Sequence, residues 1–299
     1  MLPYYDRDKI AAVLDTDALI DAMEQALVAF STGKVIQPVR MRVIDEEAGG
    51  DLCLMPAVTD ILAVKLVGNY PRNHERGIDS HNAVVIVFDR WTGLPRAVLD
   101  GTYITQMRTS AVSAMAARRL ASPDAKVVAI LGSGAQAHGH FETMRRVRAF
   151  EEIRVWSRNA DHARAFAEKT GARLCDSSEA AVRGADVIAT TTSAREPIVK
   201  GEWLKPGAHV SAVGWNGLDG RELDDTVMKS LIVVESRDAA NQESGNILMS
   251  GARIHAELGE VLAGRAVADP SSTTVFISVG IATEDAYAAD LVLRALERS

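Results

Sequence analysis

The chain has 299 residues, 47% of them apolar and 24% charged, which is enough for two domains that each bury a core. A net charge of -7 without a basic block excludes nonspecific nucleic-acid binding, and no apolar run is long enough to cross a bilayer. The absence of a signal-peptide pattern at Met1-Leu2-Pro3-Tyr4-Tyr5-Asp6 and of CxxC spacing between Cys53 and Cys175 predicts a cytoplasmic protein with reduced thiols.

Thr16 or Asp17 can cap a helix over 17–31, in which Leu19, Ile20, Met23, Ala26, Leu27 and Phe30 share one face, and Gly33 ends it. From Pro38 the period becomes that of strands, at 39–44, 52–55, 62–67, 83–88 and 95–99, with turns at 47–50 and 90–93. This predicts a mainly antiparallel sheet with a helix beside it. Lys65 interrupts the apolar run Ala63-Val64-Lys65-Leu66-Val67, where a lysine either snorkels to solvent or meets an anion. A helix over 104–120 leads through Ser122-Pro123-Asp124 into the second half of the chain.

That half is organised around Val127-Val128-Ala129-Ile130-Leu131-Gly132-Ser133-Gly134-Ala135-Gln136-Ala137, which reads as a buried strand, a glycine turn and a helix start. Gly132 suits the tight turn, Gly134 lets a pyrophosphate approach the backbone, and Ala137 lets the helix lie close to the sheet. Helical spacing over 136–150 and a strand at 153–156 complete a β-α-β unit, so the stretch is read as a dinucleotide site. The second strand runs into Ser157-Arg158, a small polar residue and a cation in place of the acid that grips the ribose of NAD. NADP(H) is therefore favoured, with NAD(H) as the alternative.

Further alternation follows: helix 160–170, strand 173–175, helix 178–183, strands 186–190 and 209–213, helix 224–229, strand 231–234, strand 274–278 and an amphipathic helix over 284–297. Strands separated by helices predict an α/β fold with a Rossmann doubly wound parallel sheet. The last helix is expected to return to the first domain. The expected boundaries are 1–112 with 282–299 for one domain and 113–281 for the other. His138 and His140 are two residues apart on a helix and point to different faces, so no metal is expected.

The chain resembles the ornithine cyclodeaminase and mu-crystallin family along nearly its whole length. The resemblance is carried by Pro38-Val39-Arg40, Leu54-Met55-Pro56, Val64-Lys65-Leu66-Val67, Asp100-Gly101-Thr102-Tyr103-Ile104-Thr105-Gln106-Met107-Arg108-Thr109-Ser110-Ala111, the glycine turn, Lys205-Pro206-Gly207-Ala208-His209, Arg221-Glu222-Leu223-Asp224 and Glu257-Leu258-Gly259-Glu260-Val261. It implies an N-terminal α/β domain that binds substrate and forms a homodimer, joined to a Rossmann domain, and chemistry on small 2-imino acids. It also implies that Arg40, Lys65 and Arg108 hold a substrate carboxylate, a role that permanent cations suit. Cofactor contacts are expected at Gly132, Ser133, Gly134, Ala135, Gln136, Ser157 and Arg158, and further at Thr109, Thr191, Val213, Gly214 and Ser278. Trp215 is expected over the substrate near the nicotinamide, and His81, at a strand start, as a hydrogen-bond donor in the pocket.

Two departures disfavour the cyclodeaminase activity itself. Cyclodeaminases carry a carboxylate just before Leu-Met-Pro, where Cys53 stands here, and an Asp soon after the glycine of the fourth Rossmann strand, where Asn216 stands here. Both changes remove an acceptor for an ammonium group. Asp219 matches an Asp of the ketimine-reducing branch. The leading expectation is reduction of a small 2-imino acid, with Lys65 or Asp219 as proton source and Arg40, Lys65 and Arg108 on the carboxylate. The alternatives are an NAD-dependent cyclodeaminase, an amino-acid dehydrogenase and a non-catalytic NADP-dependent binder; a mere binder need not keep three cations.

Overall fold

The structure, a computed structural model, describes residues 1–214 and 217–298. The chain forms two units, Met1–Arg108 with Ile281–Ser299, and Thr109–Gly280. Trp215 and Asn216 lie outside the described residues, so the expectations placed on them stay expectations.

In the first unit β1 (Tyr4–Tyr5), α1 (Arg7–Val13) and α2 (Thr16–Ser31) precede β2 (Met41–Asp45), β3 (Gly50–Val58), β4 (Leu62–Asn69), β5 (His81–Phe88) and β6 (Pro95–Asp100); α3 (Gly101–Leu120) runs on across the boundary. The sheet order is β1-β6-β5-β4-β3-β2, antiparallel except for the parallel β1–β6 pair. Its inner face, with Met55, Ala63, Val67, Val85 and Leu99, packs with the C-terminal helix α10 (Ala282–Leu296), which in turn packs on α2. The cap of α2 is Asp15, whose side chain accepts from Ala18 N at 2.7 Å, one residue earlier than the sequence predicts. The reason is that Asp15 is the last residue in extended conformation, and the backbone is already helical at Thr16.

Side chains alternate across a strand, so the outer face of this sheet is also apolar. Leu54, Val64, Leu66, Val84 and Ile86 are half-buried there, while Leu52 and Val43 are exposed.

The second unit contains β7 (Val127–Leu131), α4 (Ala135–Val147), β8 (Glu152–Trp156), α5 (Ala160–Thr170), β9 (Arg173–Leu174), α6 (Ser178–Val182), β10 (Val187–Thr190), β11 (His209–Ala212), β12 (Leu231–Val234), α7 (Arg237–Glu243), α8 (Gly245–Ser250), β13 (Ile254–Glu257), α9 (Leu258–Leu262) and β14 (Thr274–Ile277). All pairs are parallel, in the order β13-β12-β14-β11-β10-β7-β8-β9. The chain moves from β7 through β8 to one edge and then returns to β10 on the other side of β7. That reversal puts the glycine turn at a topological switch point.

The segment expected as a helix over 224–229 is instead a single 3-10 turn, Val227–Lys229. Asp224 Oδ1 accepts from Gly201 N, Thr226 N and Val227 N at 3.1, 3.1 and 2.8 Å, which ties the segment to a neighbouring loop and leaves no length for a regular helix.

Candidate active site

The first unit carries a buried charged cluster on the inner face of its sheet. Register places Lys65 between Met55 on β3 and Val85 on β5, so its side chain leaves an apolar surface. At 2% exposure it does not snorkel. Its Nζ stands 2.8 Å from Asp285 Oδ2 on α10 and 3.4 Å from Thr105 Oγ1 on α3. Arg108, almost one turn beyond Thr105, is 4% exposed and donates from Nε to Asp285 Oδ1 at 3.1 Å and from Nη1 to Glu284 Oε2 at 2.7 Å. Arg40, half-buried just ahead of β2, adds its positive field at Lys65. Arg40, Lys65 and Arg108 thus come together within one unit.

Burial of Lys65, aided by Arg108 and Arg40 and opposed by Asp285, brings its ammonium down to about 8. Burial alone would raise Asp285, but Arg108 and Lys65 outweigh it and hold the carboxyl below its ordinary range. His81, half-buried and opposite Asn69, is pushed down to about 4 by burial and then by Lys65 and Arg108; its imidazole is neutral in neutral solution. Further along the same face, burial and then Asp51 push the Cys53 thiol up to about 11, so it stays protonated. Asp51 is itself engaged, accepting from Asn69 Nδ2 at 2.8 Å and pairing with Arg42.

In the second unit Gly132 ends β7 at φ +127°, and a Cβ there would stand 2.3 Å from Thr191 Oγ1. The turn and the close approach both require glycine. Gly134 is the N-cap of α4 with no side-chain bond, whereas Asn159, Ser177, Ser236 and Ser244 cap α5, α6, α7 and α8 through their side chains. A Cβ on Gly134 would meet nothing within 4 Å, and Gln136 Oε1 is buried with no hydrogen-bond partner among the described residues. Open space before a helix N-terminus with uncommitted N–H groups fits a pyrophosphate. Ser133 and Ala135 belong to the same turn, and Ala137 packs fully buried against Ile130, Val155 and Phe166. After β8, Ser157 is half-buried and Arg158 exposed, with no Asp or Glu in 157–160.

The ends of the neighbouring strands are held by two buried glutamates. Glu222 accepts from Thr190 Oγ1 at 2.7 Å, Thr192 Oγ1 at 2.6 Å, Thr192 N at 3.1 Å and Gly214 N at 3.0 Å, joining the loops after β10 and β11. Burial raises its carboxyl against those donors. Glu235 accepts from Ser278 Oγ at 2.6 Å, Val279 N at 3.0 Å and Gly280 N at 2.6 Å, joining the ends of β12 and β14. The expected cofactor residues Thr191, Val213, Gly214 and Ser278 all sit on these strand ends, and Thr109 is buried in α3.

The sequence matches the profile of the ornithine cyclodeaminase/mu-crystallin family over residues 6–299. The chain belongs to this family. Ketimine reductase mu-crystallin of Rattus norvegicus is 47% identical over 283 residues, covering 92% of this chain and 90% of that protein. Among solved structures, Thermococcus litoralis Δ1-pyrroline-2-carboxylate reductase in complex with NADH and L-proline has a TM-score of 0.94 at 36% identity, covering 100% of this chain and 98% of the other. An archaeal alanine dehydrogenase dimer with bound NAD has a TM-score of 0.93 at 31% identity, covering 99% of this chain and 96% of the other.

One expected residue of this family member is open to solvent. Asp219 lies in a turn at 60% exposure, 3.2 Å from the equally open Arg195, which is the geometry of a surface ion pair. Four residues escaped sequence reasoning: Glu222, Glu235, Glu284 and Asp285. Glu235 was detectable as a carboxylate directly after the apolar run Leu231-Ile232-Val233-Val234. Glu284 and Asp285 look like ordinary acids of a helix first turn, which hides their burial. Among the described residues no three His, Cys, Asp or Glu side chains converge as metal ligands.

Proposed function

We propose that this family member is an NAD(P)H-dependent reductase of a small 2-imino carboxylic acid, converting a ketimine or cyclic imine to the amino acid. The observation that carries the reading is the burial of Lys65 and Arg108 on one sheet face with Arg40 beside them. When bound, the reduced nicotinamide supplies the hydride that adds to the C=N carbon. The chain's own residues do the rest. Arg40 and Arg108 hold the carboxylate, and Lys65 gives its proton to the imine nitrogen, leaving a neutral amine on Lys65 and an iminium that accepts hydride. An ammonium near 8 is largely charged at neutral pH yet gives up its proton readily, which suits a general acid better than the exposed Asp219 does. A diamine substrate is disfavoured, because Cys53 is uncharged and Asp51 is committed to Arg42 and Asn69.

We assign NADP(H) as the preferred cofactor on Ser157 and Arg158, with Gly132 to Gln136 holding the pyrophosphate. The apolar outer face of the first unit's sheet supports a homodimer, the state described for the archaeal alanine dehydrogenase. The free, buried Cys53 and Cys175 support a cytoplasmic location, and among the described residues no helix is long and apolar enough to cross a membrane. The experiment is a panel of pyrroline and piperideine carboxylates, iminosuccinate, and pyruvate with ammonia or methylamine, followed at the nicotinamide absorbance. Net oxidation of NADPH is expected with at least one of them; no turnover with any would favour a binder, and ornithine conversion without net cofactor change would favour a cyclodeaminase.

A further inference from the structure

We propose that Asp285 is the positioning residue of the cation clamp: one of its oxygens faces Lys65 and the other Arg108, so a single carboxylate from the C-terminal helix fixes both. The proposal rests on the reading of Lys65 and Arg108 as substrate-binding cations and extends it to a residue with no substrate role of its own.

Three observations carry it. First, the two contacts use different oxygens, Oδ2 toward Lys65 at 2.8 Å and Oδ1 from Arg108 Nε at 3.1 Å, so moving either cation disturbs the other. Second, all three side chains are at most 4% exposed, so solvent does not screen the arrangement. Third, Lys65 has three N–H donors; Asp285 occupies one side of the ammonium and Thr105 another, which leaves one for a ligand. A lysine held on two sides has one direction left in which to give its proton.

The charged and titratable groups around Lys65 come from every neighbouring element: Asp285 and Glu284 on α10, Arg108 on α3, Arg40 ahead of β2, Cys53 on β3 and His81 on β5. Cys53 and His81 are neutral in neutral solution, Arg108 and Arg40 drive the lysine proton off, and Glu284 is committed to Arg108. Asp285 is the carboxylate in contact with the ammonium, and its field keeps the proton on.

The test is Asp285→Asn, which keeps the shape and removes the charge. Lys65 is followed by NMR in uniformly carbon-13 lysine-labelled protein without cofactor, its Cε resonance being the one missing from Lys65→Met. The Lys65 midpoint is expected to fall by about one pH unit or more in Asp285→Asn, and the basic limb of kcat/KM with NADPH and an accepted imine to fall with it. A merely structural role would lower thermal stability without moving either midpoint. Asp285→Glu, which keeps the charge, should hold the Lys65 midpoint near the wild-type value, and it serves as the test should the Asn variant fail to fold, since a midpoint collapsing in the Glu variant overturns the proposal. An unmoved midpoint in Asp285→Asn also overturns it. A midpoint that falls while the pH–rate profile stands still supports the Asp285 link and sinks instead the reading of Lys65 as proton donor.

Discussion

Lys65 on β4 and Asp285 on α10 form an ion pair with 2.8 Å between Nζ and Oδ2, each side chain 2% exposed. The pair joins the middle of the sheet to the last helix of the chain. Removing one partner of such a pair costs about 3–5 kcal/mol when the other is left as a lone buried charge. Here Asp285 would keep Arg108 as a partner, so Lys65→Met should lose less stability than that. Its catalytic loss should be far larger, about 10²–10⁴-fold in kcat for a missing general acid. Denaturant unfolding and steady-state kinetics on one preparation separate the two effects, and an unchanged kcat would remove Lys65 from the chemistry.

The same lysine predicts the pH dependence. The protonated form is the donor, and its ammonium titrates at about 8, so kcat/KM should be level below that pH and decline as pH rises through it. His81 should add no acidic limb until pH approaches about 4, where its imidazole charges. A rate that climbs through pH 8 would make Lys65 a base and reverse the proposed direction of proton transfer.

How much of this was legible in the sequence depended on whether a residue advertises its surroundings. Lys65 did, because a charge in the run Ala63 to Val67 breaks a pattern, and so did Gly132 and Gly134, whose spacing is tied to a strand and a helix. Asp285 and Glu284 did not, because acids in a helix first turn satisfy the helix dipole whether exposed or buried, and only the packing of α10 on the sheet distinguishes the cases. The strands of the second unit were readable chiefly where the centre of its sheet, as at β7, β10 and β12, is buried on both faces, which demands continuous branched apolar runs. The expected helix at 224–229 does not form, because the hydrogen bond from Gly201 N to Asp224 Oδ1 joins segments whose proximity no local period reveals.

The two glycines of the turn should respond in opposite ways. Gly132→Ala puts a Cβ 2.3 Å from Thr191 Oγ1 at φ +127°, so strain of about 1–3 kcal/mol should appear as a lower melting temperature even without cofactor. Gly134→Ala meets no protein atom within 4 Å, so the fold should hold while the KM for NADPH rises, the methyl group occupying the approach of the pyrophosphate. Equal melting losses in both variants would contradict this division.

The outer face of the antiparallel sheet gives a further prediction. Val64 and Ile86 are cross-strand partners at its middle, both half-buried and apolar. If this face forms the proposed homodimer, Ile86→Lys should convert it to monomer in light scattering at micromolar concentration, since a charge buried in an interface without a partner is strongly unfavourable. A wild-type chain that runs as a monomer under the same conditions would mean that this face is covered in some other way.

Cofactor choice can be reversed by one side chain if it is set at the end of β8. Ser157 follows Trp156, and Arg158 follows it with an exposed guanidinium free of the helix-capping duty that Asn159 carries out. A ribose 2′-phosphate placed here would meet a hydroxyl and a cation, whereas Asp at 157 would repel the phosphate and accept from the two hydroxyls of an unphosphorylated ribose. Ser157→Asp is therefore expected to move the ratio of kcat/KM values from NADPH toward NADH by about tenfold or more, the equivalent of roughly 1.4 kcal/mol. Arg158→Ala should weaken NADPH and leave NADH nearly unchanged, because in the proposed arrangement the lost charge would serve the 2′-phosphate, which NADH lacks. Steady-state kinetics with both nucleotides at saturating imine measure the two ratios, and if neither variant shifts its ratio the adenosine ribose is read by other residues.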